Sequence, residues 1–230
     1  MSGGDISEGA KAVQEVAKAS GKAIDTVQRA GSFLASVLQE PLETAVGVWA
    51  DKLKYHRWER QLRLMDRADA LLAQRGLDLP SRPLPLKLAV PLLEAATLED
   101  DDSLQDRWAS LLANAVDADS GVTIERMHIA ILEQMSASDA VIFDKLFALP
   151  YLETWNKGID TKNLPASCEV FEREGTHSEP DDATVLSLAN LQRLQLITGA
   201  SAWNGAVGYH RVVPQRLGLS LAAACARPAS

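Results

Sequence analysis

From Ile6 to Leu38 apolar or small residues recur at alternating spacings of four and three, through Ala10, Val13, Ala17, Ser20, Ile24, Val27, Gly31 and Leu34. This is a heptad seam, and it predicts a helix that lays one stripe against a partner helix. Small residues on the stripe permit close approach, while Gly21 and Gly31 each weaken the helix by about 1 kcal/mol, so it needs a partner. An intramolecular hairpin and an intermolecular coiled coil both supply one. For the second, the candidate assembly residues are Ile6, Val13, Ile24, Val27, Leu34 and Leu38.

Pro41 breaks the pattern, because proline lacks an N–H and disfavours helical geometry in the residue before it. A second helix is expected from near Leu42 to Arg75-Gly76, where glycine supplies a left-handed cap. The three prolines of LDLPSRPLPLK, Pro80, Pro83 and Pro85, make that stretch an extended connector. Beyond it, Leu88, Leu92, Leu93 and Ala96 line a short helix that tolerates Pro91 near its start. Asp101, Asp102 and Ser103 offer N-cap groups to the next helix, which carries Leu104, Trp108, Leu111, Leu112 and Ala115.

An apolar run from Met127 leads to a helix capped by Ser136 or Ser138, with Val141, Ile142, Leu146 and Phe147 facing inward. Residues 151–180 are mixed and rich in turns. Asp181 and Asp182 open an amphipathic helix with Val185, Leu188, Leu191 and Leu194 on one face. Short β-prone pieces and glycine turns follow, then a last helix from about Pro214. Helix, helix and hairpin is the order of a winged-helix module. The expected fold is therefore mainly α: a long N-terminal helical hairpin and a helix pair, followed by a winged-helix-like α+β C-terminal part. It divides into a heptad-like extension (1–40), a helical domain (41–126) and a winged-helix-like domain (127–230).

The net charge of -8 and pI near 5.0 oppose loose binding to nucleic acid or anionic lipid, so any such contact needs a local basic patch. Residues 139–230 hold more carboxylates than Lys plus Arg. As a DNA reader the C-terminal part offers Arg193, Gln192 and Gln195 on its candidate recognition helix and Arg211 on the wing edge. The charge balance favours docking to protein instead. Across residues 30–50 there is no basic residue and only Glu40 and Glu43 are acidic. That stretch reads as a buried helix pair or, alternatively, as a hairpin able to enter a bilayer. Each arm reaches only about 15 Å, half of a hydrocarbon core.

The start MSGGDISEGAK lacks the order of a signal peptide, and no run of 18 apolar residues occurs. With Cys168 and Cys225 far apart and outside any CxxC pair, a reducing cytoplasm fits best, with membrane association only on activation. Phosphate loop, nucleophile elbow, HExxH and GxGxxG are all missing, and His56, His128, His177 and His210 are scattered. No enzyme, cofactor or metal is expected. The acidic run Glu99 to Asp102 with Asp106 lacks the spacing of a calcium loop and reads as capping and solvation. Trp58, among charged neighbours, is the candidate interface anchor.

Three stretches carry a resemblance: ADKLKYHRWERQLRLMDRADALLAQRGL, PLKLAVPLLEAATLEDDDSLQDRWASLLANAVD, and SLANLQRLQLI with RVVPQRLGLSLAAAC. Together, over roughly Leu42 to Cys225, they resemble the abortive-infection alpha family. The resemblance implies a helical cytosolic protein linked to phage resistance, and it brings no catalytic motif to carry over. The function expected is a phage-defence component that works by association with proteins, itself included. Membrane disruption through the 30–50 segment and DNA-binding regulation are the alternatives.

Overall fold

The computed structural model describes residues 32–33, 35–37, 55–174, 177–201 and 205–227, with the backbone alone for 55–59. The first described turn is helical, and its Phe33 and Val37 are buried. Leu84 donates its N–H to the Val37 carbonyl at 2.8 Å, tying this turn to the connector.

Helix α1 (Tyr55–Gln74) buries Gln61, Leu64, Met65, Ala68 and Leu72, the i, i+3, i+4 spacing of one face. It ends as expected at Gly76, whose φ of 75° lets the N–H of Leu77 return to the Leu72 carbonyl at 3.0 Å. The extended connector then crosses the end of α3 (Asp102–Val116), where Arg82 donates to the carbonyls of Asn114, Ala115 and Val122. The Asn114 and Ala115 carbonyls, in the last turn of that helix, have no partner within it, so an arginine is well placed there.

Helix α2 (Leu86–Leu98) contains Pro91 and buries Ala89, Leu92, Leu93 and Ala96. Of the 15 residues of α3, 11 are buried, which makes it the central helix. Asp101 caps it, accepting from the N–H groups of Ser103 and Leu104 at 3.0 and 3.1 Å. Three others of the acidic run dock α1: Arg67 pairs with Asp102 (2.6 Å) and Asp106 (3.0 Å), and Arg60 approaches Asp100 (4.0 Å). Among the described residues no cluster of His, Cys, Asp and Glu is arranged to hold a metal.

Helix α4 (Arg126–Leu132) starts with a capping box between Glu125 and His128. Helix α5 (Ala137–Phe147) starts with one between Ser136 and Asp139, so Ser136 is the cap. Its inner face differs from expectation in one residue. Val141 is 44% exposed, and Phe143 is buried beside Ile142 and Leu146. The apolar pattern of this helix runs almost all the way round, so periodicity alone could not orient it.

Helix α6 (Tyr151–Lys157) leads into β1 (Ile159–Asp160) and β2 (Glu169–Val170), both inside the stretch read as turns. Helix α7 (Asp182–Arg193), capped by Asp181, precedes the hairpin β3 (Ile197–Ser201) and β4 (Val207–Pro214). The antiparallel sheet runs β2-β1-β4-β3, with Ile159 opposite Val212 and Thr198 opposite Val213. Helix α8 (Arg216–Ala224) then returns to pack on α5 and α3. The described chain is thus mainly helical with a small four-stranded antiparallel sheet in its C-terminal part. Among the described residues no helix is long and apolar enough to cross a membrane.

Candidate functional site

The return of α8 creates a cleft of about 610 Å³ between α3, α5 and the segment 225–227. This is within the range of ligand pockets, roughly 300–1,000 Å³. Its floor is apolar. The buried Phe143 ring backs Phe147 with centroids 4.4 Å apart, and the partly exposed Phe147, Val141 and Ala222 form the surface. Gly218 of α8 makes the close approach possible, since a Cβ there would overlap the Phe147 ring and meet the Leu196 carbonyl oxygen at 2.6 Å.

Charged groups rim this floor. Arg107 is 12% exposed, pairs with Asp144, donates to the Ala140 carbonyl at 2.9 Å and lies 5.6 Å from the Phe143 ring centre. On the opposite lip Arg227 reaches Asp106 at 2.6 Å, and Arg67 holds the other carboxylate oxygen of Asp106 at 3.0 Å. Burial pushes the Cys225 thiol up to about 12, overriding the opposing pull of Arg107, so no thiolate forms near neutrality.

The α8 wall is anchored from behind. Asn114 donates through its Nδ2 to the carbonyls of Ala224 (2.8 Å) and Ala226 (3.1 Å), while its oxygen accepts from Arg75 at 2.6 Å. Arg75 also pairs with Asp117 at 2.7 Å. A buried amide with every contact satisfied fixes the wall.

The histidines with described side chains lie elsewhere, each with a local partner. His128 accepts the Glu125 N–H at Nδ1 (3.1 Å) and meets Ser220 Oγ at Nε2 (2.9 Å). His177 faces Asp160 at 3.1 Å and stacks on Phe171, while His210 lies 3.4 Å from Glu179.

Ile6, Val13, Ile24, Val27, Leu34 and Leu38 lie outside the described residues, as does the side chain of Trp58. The candidate nucleic-acid contacts do not form one patch. Gln192 and Gln195 share a polar hollow with Gln215 and Arg216, and the Gln192 side-chain oxygen accepts the Gly199 N–H at 2.7 Å. Arg193 turns to the other flank, bonded to Asn190 and to Gln134 (2.9 Å). Arg211 lies over Phe171, 5.0 Å from the ring centre. Sequence reading missed the cleft, whose walls come from residues 103–110, 140–148 and 222–227. The one signal for it was Val141, an apolar residue on a helix already wide in apolar character.

A central helix, a small antiparallel sheet and a cleft lined by ion pairs and apolar side chains make the molecule a mainly helical protein with a small C-terminal sheet. Residues 59–208 match the family model described as abortive infection alpha, and the chain belongs to that family. No curated protein and no solved structure matches the chain.

Proposed function

We propose that the chain is a phage-defence component of abortive infection that acts by protein association and not by catalysis. Family membership supports the defence role. The chemistry of the cleft supports the mode of action. Its titratable lining is two arginine–carboxylate pairs and a thiol held neutral to about 12, which suits recognition better than proton transfer or nucleophilic attack.

The alternatives have less to stand on. Arg193, the cation of the candidate recognition helix, is already bonded to Asn190 and Gln134, which leaves a DNA-reading role for a winged-helix-like part without its phosphate contact. Phe33 and Val37, inside the apolar 30–50 segment, are buried in the protein core, and a bilayer-entering hairpin would have to extract them.

The test is phage challenge of cells carrying the full chain or Val141→Asp. Val141 lines the cleft and is partly exposed, so the charge spoils the floor without entering the core. Protection should fall at least tenfold, read as plating efficiency, at unchanged protein abundance. Full protection by the variant would remove the cleft from the function.

A further inference from the structure

We propose that the cleft docks a segment of a partner protein anchored by an arginine beside an apolar side chain, and that Arg227 holds the arginine's place in cis. The inference rests on the reading of the cleft as a docking site and names its occupant. Three observations converge on it.

The first is Arg227 itself. Its side chain is 62% exposed, yet its guanidinium sits 2.6 Å from Asp106 at the mouth of the cleft. An exposed pair of this kind is weak, because both groups remain hydrated and the long side chain loses freedom on pairing. A second guanidinium arriving with apolar surface behind it would win the carboxylate. Asp106 is already oriented for this by Arg67, which holds its other oxygen.

The second is charge complementarity. The lip at Asp106 continues into the acidic run Glu99 to Asp102, where the side chains of Asp100 and Asp102 are about 80% exposed despite their contacts with Arg60 and Arg67. A cationic segment finds a favourable field there that extends beyond the cleft, which suits a chain segment better than an isolated small molecule.

The third is the floor. Val141, 44% exposed, with the partly exposed Phe147 and Ala222, offers apolar surface in the same cleft as the charged pairs. Arginine fits better than lysine, since its planar group can donate to the Asp106 oxygen that Arg67 leaves open while its flat face lies on apolar surface, as Arg107 lies over Phe143.

The experiment titrates the full chain with the peptide acetyl-Leu-Arg-Phe-amide and with its citrulline counterpart, which keeps the shape and loses the charge. Methyl NMR signals of Val141 and Ala222 report binding. The arginine peptide should bind Arg227→Ala at least fivefold more tightly than the unaltered chain, and Asp106→Asn should weaken binding at least tenfold. The citrulline peptide should bind at least tenfold more weakly to the unaltered fold, a comparison that needs no variant to fold. Equal binding of the two peptides, or no gain in Arg227→Ala, overturns the inference. A rise in the solution mass of Arg227→Ala would make a second copy the occupant and overturn it too. Loss of phage protection in Val141→Asp combined with equal binding of the peptides would leave the docking reading standing and remove only the arginine.

Discussion

His128 shows how one residue couples local structure to pH. Its Nδ1 accepts the Glu125 N–H, so the ring proton resides on Nε2 and points to Ser220. Burial holds its pKa below the ordinary value, with Glu125 pulling weakly the other way. The unfolded chain binds a proton near pH 6.5, while the folded chain binds it only at lower pH. Between those values unfolding takes up a proton, so stability is full above about 6.5 and declines as pH falls toward the folded value. The urea midpoint should therefore drop between pH 7.5 and 5.5, and His128→Gln should flatten that drop. An unchanged slope in the variant would place the titrating group elsewhere.

At the scale of elements, the joint between α3 and α8 carries the largest consequence. Replacing Asn114 by Leu preserves volume but leaves the Ala224 and Ala226 carbonyls and the Arg75 guanidinium short of a partner. Losing that buried network should cost about 3 kcal/mol, measured as the fall in unfolding free energy. Nothing in the sequence marks Asn114 for this role, because the two carbonyls it bonds are more than 100 residues away. Caps are different. Asp101, Ser136, Asp181 and Gly76 are legible because a helix end is satisfied by groups within three or four residues of it. The two-residue strands β1 and β2 are illegible for the opposite reason: their pairing, Ile159 with Val170 and with Val212, is set by tertiary contacts and leaves no alternation to read. The inner face of α5 falls between these cases, legible at Ile142 and Leu146 and not at Val141, which the cleft exposes.

For the whole molecule, the heptad seam expected from Ile6 to Leu38 is proposed as an assembly surface, and the burial of Phe33 and Val37 ties the described turn at its end to the helical body. Light scattering of the full chain should show an oligomer, with Val13→Asp or Ile24→Asp lowering the mass because a charge on a seam cannot be buried without a partner. Equal masses would assign the seam to internal packing. The docking of α8 has a further consequence during synthesis. Asn114 waits for Ala226, made 112 residues later, a delay on the order of ten seconds at ribosomal rates. In the later part of that interval, once Phe147 has been made, its ring lacks the α8 cover, so the nascent chain carries an apolar surface that the finished fold narrows to a cleft.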